Sequence, residues 1–354
     1  MRRRDFLQAL ALASWSAAIA SPTAARTARA AGTGIAAAFG EIPPSQRVAR
    51  IFAAGAPAGI LVNALAPEKL LGWPLQLGKE ARSWLAPAAR DRPFLGRLGG
   101  RGSTVSVETL LQLKPDLILD VGSTDATHVS AMRRLAEQTG LPCLLIQGRL
   151  AEHPVQLREV GQLLGVAARG ERLAAWADDT LVRAARVRAA LTPNERPRVY
   201  FGRGADGLET GLAGSINMEV IDAAAGINVA AAAGRGGLAR VSLEQILAWN
   251  PDVIITHDRN FVRRALRDPL WRALEAVRAG RVYCAPSTPF GWLDLPPGIN
   301  RLIGVCWLLA RLHAGRSFAP TLEDVRTDTD EFYRLFYGTD LATSAFDRLL
   351  EGDA

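Results

Sequence analysis

Two stretches of this chain say nearly the same thing. VSVETLLQLKPDLILD begins at Val105, and VSLEQILAWNPDVIIT begins at Val241, 136 residues later. Internal self-similarity bears on architecture before any single motif does, because each copy is one structural unit that needs neighbours to bury its apolar face. Two copies are too few for a solenoid and enough for two lobes of similar build. Within each copy, apolar residues recur at helical spacing: Leu110, Leu111 and Leu113, then Ile246, Leu247 and Trp249. Ser106 and Ser242 stand at the N-cap position. Glu108 and Glu244 fall in the first turn, where the helix dipole favours a carboxylate. Pro115 and Pro251 end the helices, since a residue before proline avoids the α region. The apolar, β-branched runs DLILDVG and DVIITHD then read as buried parallel strands.

The same alternation surrounds both copies. Arg50 to Ala54 and Leu141 to Ile146 read as further strands in the first half, Arg198 to Phe201 and Arg281 to Cys284 in the second. Helical text such as HVSAMRRLAEQTG and PLWRALEAVRAG falls between them. Strands alternating with helices predict parallel α/β sheets. A chain of 354 residues also exceeds what one core usually serves. Between the halves, ARGERLAAWADDTLVRAARVRAALTPNERP has no proline or glycine from Glu171 to Leu191. Leu173, Trp176, Leu181, Val182 and Val187 punctuate its charged faces. It predicts one rigid helix rather than a flexible linker, which would be rich in Gly, Ser or Pro. The expected fold is therefore two wound α/β lobes joined by a single long helix, with a ligand cleft between them. The expected bounds are a leader over 1–30, an N-terminal lobe over 47–166 and the linker helix over 167–192. A C-terminal lobe over 193–315 and a helical segment over 316–354 complete the chain.

The first 30 residues have a charged start, an apolar run from Phe6 to Ala20 and small-residue cleavage patterns at Ala28-Arg29-Ala30 and Ala18-Ile19-Ala20. Arg3-Arg4-Asp5-Phe6-Leu7 is similar to a twin-arginine export signal, with Arg2 where that signal usually carries Ser or Thr. The reading is a cleavable signal peptide and a soluble product exported to the periplasm. The apolar run falls short of the roughly 20 residues that span a bilayer. This leader carries +4 of the net charge of +7, which leaves +3 on the remainder. No basic run interleaved with aromatics follows, so nucleic acid is not an expected partner. Cys143, Cys284 and Cys306 form no C-x-x-C pattern and read as small buried hydrophobes; a 284–306 disulfide stays open after export.

Taken together, SVETLLQLKPDLILD, GLETGLAGSINMEVIDAAAGINVA, SLEQILAWNPDVIIT, DPLWRALEAVRAGRVY and PFGWLDLPPGINRLIGVCWLLARL resemble the iron-chelate and vitamin B12 class of periplasmic substrate-binding proteins. The resemblance runs from about Arg47 to Leu350. It implies a monomeric binding protein with no enzymatic activity and no resident cofactor. Such a protein hands its small-molecule ligand to a dimeric inner-membrane ABC permease. Ferric siderophore is the default cargo; molybdate or tungstate, haem and corrinoids stay open. It also implies that Glu108 and Glu244 dock onto permease arginines, one per lobe. That would explain the duplicated text and is compatible with their place in the first helical turn. A rigid linker helix implies a small hinge motion.

Ligands of open α/β sheets bind beyond the carboxyl ends of the strands. The loops there are AAGAPAGIL, VGSTDATH, GRGADGLETG, THDRNF and PSTPFGWLD. They offer Ser123, Thr124, Arg203, His257, Arg259, Phe290 and Trp292 as ligand-binding candidates. Arginine suits an anionic group and tryptophan a flat or partly apolar chelate. Two rival signals are weaker. GRGADG at 202–207 fits the dinucleotide-binding spacing of an exported oxidoreductase, but no helix follows its last glycine. Direct metal binding would need several converging ligands; of the four histidines, His153 and His313 lie in helical or surface-like text, and the pair His257-Asp258 in a cleft loop does not make a site by itself.

Overall fold

The computed structural model describes residues 34–99 and 102–351, so the expected leader lies outside the described residues. Among the described residues, ten strands form three sheets. They are β1 (Ile35–Phe39), β2 (Ile51–Ala53), β3 (Leu117–Gly122), β4 (Cys143–Gln147), β5 (Arg198–Phe201), β6 (Glu209–Gly211), β7 (Ile227–Asn228), β8 (Leu238–Arg240), β9 (Val253–Thr256) and β10 (Val282–Cys284). The first sheet has the order β1-β4-β3-β2 and the second β10-β9-β5-β7; β6 and β8 make a two-stranded antiparallel ribbon. Every pairing of the second sheet is parallel. In the first sheet β2, β3 and β4 run parallel and β1 is an antiparallel edge. β1 precedes the expected lobe start at residue 47. Its alternating half-buried and exposed residues lack the dense apolar text of a central strand.

The repeated text folds into matching units. Helices Val107–Leu113 and Leu243–Trp249 are each seven residues long. Ser106 Oγ accepts the Thr109 N–H at 3.1 Å, and Ser242 Oγ accepts the Gln245 N–H at 3.3 Å. Lys114 and Asn250, just before the prolines, end the helices in the left-handed region, with φ of 46° and 41°. Two further residues take part in both copies. Asp116 accepts the Arg50 N–H at 2.8 Å, as Asp252 accepts that of Arg198 at 2.8 Å. The Arg50 guanidinium donates to the carbonyls of Leu113 and Lys114, and that of Arg198 to the carbonyl of Trp249. An arginine immediately before β2 in one lobe and at the start of β5 in the other thus caps the helix end whose carbonyls would otherwise lack partners.

The parallel strands β2, β3, β4, β5 and β9 are largely buried on both faces, as central parallel strands must be. Leu110, Ile118 and Phe52 share one outer cluster; Ile246, Ile254 and Tyr200 share its counterpart in the second lobe. The opposite faces, with Ile51, Leu117, Val199 and Val253, belong to a single core that runs through both lobes. Helix Ala167–Ala189 joins the halves, and its 23 residues span about 34 Å. Leu173, Trp176 and Val187 are buried along it, whereas Val182 faces solvent. The text PLWRALEAVRAG, expected as one helix, breaks into short turns at Trp271–Ala273 and Glu275–Arg278. Leu274 between them is extended, and it buries with Trp271 in the outer cluster.

The C-terminal residues return to the first lobe. The Tyr337 carbonyl accepts the Ala86 N–H at 2.9 Å, and Phe332 and Phe336 pack on Trp176. A buried polar node also joins the halves. The Arg301 guanidinium donates to Gly148 O (2.6 Å), Ile216 O (2.8 Å) and Glu219 Oε2 (2.9 Å). Glu219 Oε2 in turn accepts the Leu150 N–H at 2.8 Å. His153 sits in the same node, with Nδ1 2.8 Å from Gln156 Oε1. His153 and His313 are buried rather than at the surface, because each imidazole reaches a backbone carbonyl inside. All three cysteines are free, Cys306 being wholly buried beside Thr180.

Candidate functional site

The loops leaving β5, β9 and β10 converge on a cleft of about 610 Å³. The β5 loop turns straight back. Arg203 N–H donates to Glu209 O at 2.8 Å, so GRGADG leads into β6 through a hairpin and not into a helix. The dinucleotide reading fails on this geometry, since a fingerprint needs a helix N-terminus at its phosphate. The glycines serve the turn instead. Gly207 has φ of +69°, and a methyl group there would overlap the Phe261 ring.

Arg203 lines the cleft yet is largely buried, and its guanidinium is held on two sides. Nη1 pairs with Glu209, and Nε lies 2.7 Å from Asp294 Oδ2. Asp294 is wholly buried, and Asn217 Nδ2 donates to the same Oδ2 at 2.9 Å. His257 follows β9, its ring edge-on to Phe201 with centroids 5.6 Å apart. Asp258 beside it caps helix Arg259–Arg267 by accepting the Asn260 and Phe261 N–H groups. His257 Nε2 lies 3.5 Å from Asp294 Oδ1. Both ring nitrogens and that oxygen are buried without a hydrogen-bond partner. Buried polar atoms left this way mark a place where another group belongs.

Charges alternate around the cleft. Arg203, Arg240 and Arg264 meet the carboxylates of Asp206, Glu209 and Asp258, with Arg240 paired to Asp206. Arg264 has no ion-pair partner among the described residues. A second cavity of about 190 Å³ lies behind His257 and is lined by Arg259. In the first lobe, a cavity of about 340 Å³ at the end of β3 holds Asp120 and His128. Burial pushes the Asp120 carboxyl above the usual carboxylate range.

Of the expected ligand-binding residues, Arg203, His257 and Arg259 come together here. Ser123 and Thr124 do not. The Ser123 hydroxyl donates to Asp125 Oδ2 at 2.7 Å beside a helix cap, and Thr124 Oγ1 accepts from Gln147 Nε2. Phe290 and Trp292 are corrected outright, because both are wholly buried core residues. Phe290 packs on Trp73, and Trp292 Nε1 donates to the Tyr333 hydroxyl at 3.2 Å. Sequence reading missed Asp294, Asn217, Glu209, Arg240 and Arg264. Asp294 had a visible signal, an acid inside the otherwise apolar GWLDLPP. Glu108 and Glu244 both stand exposed in first helical turns. Backbone and serine hydrogen bonds hold the Glu108 carboxyl below its ordinary range; for Glu244 the serine bond acts first.

Two lobes with mixed α/β sheets, one connecting helix and a polar cleft at the strand ends describe a solute-binding protein. A family model described as periplasmic binding protein matches residues 78–289, and the chain belongs to that family. Among its relatives is the molybdate-binding protein MolA of Haemophilus influenzae, 28% identical over 301 residues, covering 76% of this chain and 79% of that one. The Fe(3+) dicitrate-binding periplasmic protein FecB of Escherichia coli is 27% identical over 202 residues, 53% of this chain and 61% of FecB. An ABC transporter solute-binding protein from Sulfurospirillum deleyianum superposes with a TM-score of 0.79 at 26% identity, covering 88% of this chain and 95% of the other. The role of such a chain is binding and not catalysis.

Proposed function

We propose that this protein is the exported solute-binding component of an ABC importer and that it carries an anionic metal chelate. The observation that carries the ligand class is the mixed wall of the main cleft. Its three arginines are interleaved with three carboxylates. A bare oxyanion presents acceptors only and would meet repulsion from those carboxylates. A chelate that brings both acceptors and hydroxyl or amide donors matches such a wall, and the cleft volume suits a molecule of that size. A ferric chelate with carboxylate or hydroxyl arms is the reading favoured here, and the relation to FecB supports it. A second reading, molybdate or tungstate, draws support from the relation to MolA.

Delivery would use Glu108 and Glu244, one exposed carboxylate on the repeated helix of each lobe, set against paired arginines of a dimeric permease. The leader over residues 1–30 would direct export to the periplasm, where the protein would act as a monomer. The deciding experiment is native mass spectrometry with elemental analysis on mature protein from its own periplasm. A co-purifying iron chelate is the expected result. A stoichiometric molybdenum or tungsten adduct without an organic component would select the second reading. A nicotinamide or flavin adduct would overturn both.

A further inference from the structure

The small cavity behind His257 differs in chemistry from the cleft it adjoins. The two share the imidazole as a common wall, and the smaller one is otherwise lined by Arg259, Cys284, Ser287 and Thr288, with Leu349 of the C-terminal helix against it. Its lining holds one fixed cation and no carboxylate. Arg259 is half-buried, and its guanidinium has neither an ion pair nor a hydrogen bond among the described residues. The His257 side chain is 6% exposed; its Nε2 lies 3.5 Å from the buried Asp294 carboxylate without a hydrogen bond, and Nδ1 has no partner. Burial raises the Cys284 thiol above its ordinary range, so this sulfur adds no negative charge at neutral pH. The neighbouring Asp258 carboxylate is engaged by two backbone N–H groups of the helix it caps.

An unpaired guanidinium beside an unsatisfied imidazole and two hydroxyl-bearing residues is a set of donors lacking an acceptor. A planar fork of N–H groups is best completed by a carboxylate or a tetrahedral oxyanion. A cavity of about 190 Å³ admits such a group and excludes a whole chelate. We propose that this cavity is an anion subsite of the ligand cleft, with Arg259 and His257 as its principal donors. It takes either one carboxylate arm of a chelate or one free oxyanion. The inference rests on the binding function proposed above and specifies the chemistry of one part of the ligand.

Crystals of the purified protein soaked in selenate test the cavity directly. An anomalous selenium peak within hydrogen-bond distance of Arg259, lost in Arg259→Gln, is expected; an empty cavity in the wild type overturns the proposal. Calorimetric titration then separates the two sources, using ferric dicitrate, molybdate and an uncharged ferric trihydroxamate. Arg259→Gln should weaken whichever of the first two binds by at least about tenfold and leave the trihydroxamate affinity unchanged. Loss confined to ferric dicitrate identifies a carboxylate arm, and loss of molybdate identifies a free oxyanion. A selenate peak with no change, or an equal change, in the titrations means an adventitious ion only and overturns the subsite. If the wild type binds none of the three ligands, the chelate reading of the cleft fails, while the selenate peak still decides the cavity.

Discussion

Arg203 and Asp294 form a buried ion pair, Nε to Oδ2 at 2.7 Å, in which the carboxylate has no exposure to solvent. Removing one partner of such a pair leaves the other charge without compensation inside the protein, which costs about 3–5 kcal/mol. Asp294→Ala should therefore lower the free energy of unfolding, read from urea denaturation, by that amount. Asp294→Asn keeps the shape and should lose less. Equal, small losses in both would mean that Glu209 alone neutralises Arg203.

The two exposed glutamates give a second prediction. Glu108→Ala combined with Glu244→Ala should abolish ligand-dependent transport in reconstituted importer while ligand affinity and thermal midpoint stay near the parent values. Each helix keeps its serine cap in these variants, so the fold is not at stake. A matching loss of affinity and transport would refute docking as their role.

Gly207 offers a test of the hairpin that sets Arg203. A left-handed conformation costs an L-residue about 1–2 kcal/mol, before any overlap with the Phe261 ring is counted. Gly207→Ala should destabilise the protein by at least about 2 kcal/mol. It should also weaken ligand binding, whereas Gly204→Ala, at φ of +76° but with only the tip of Asp206 nearby, should cost less. Denaturant unfolding of the two variants checks the order.

The His153 node makes stability depend on pH. Burial first, and the adjacent Arg301 charge second, lower the His153 pKa from 6.5 to about 3. The unfolded chain therefore binds a proton that the folded chain refuses between those values. Stability from this residue is fully present above about pH 6.5 and is lost as pH falls toward 3. His313, lowered in the same direction by burial, adds to the slope. Urea midpoints at pH 7.5 and 4.5 should separate less in His153→Gln than in the wild type. An unchanged separation would remove His153 as a source.

The connecting helix and the Arg301 node both bear on lobe movement. Small-angle scattering with and without ligand should show only a slight change in radius of gyration. Arg301→Met, which breaks the contacts to Gly148 and Glu219, should enlarge that change.

Much of the architecture was legible because it was written twice. Periodicity, serine caps and prolines identified the repeated helix and strand in each lobe, and a run without breakers identified the connecting helix. What stayed hidden depended on contacts distant in sequence. Arg50 and Asp116 look like ordinary surface charges until the fold sets one at the helix end and the other on its neighbour's N–H. The edge strand at Ile35 carries too little apolar text to stand out. In the cleft, residue type alone cannot tell a ligand-facing aromatic from a core one, and Phe290 and Trp292 fell on the wrong side of that division. Arg203 was selected for its charge. The two carboxylates holding it come from positions 209 and 294, and only the convergence of the loops brings them together.

The return of the C-terminus has a consequence for the order of synthesis. Residues 332–337 pack against Trp176 and bond to Ala86, far back in the chain. A ribosome that has released the whole first lobe has still not made these residues. The first lobe must wait, incompletely covered, until residues 332–337 emerge, after the strands of the second lobe have been made.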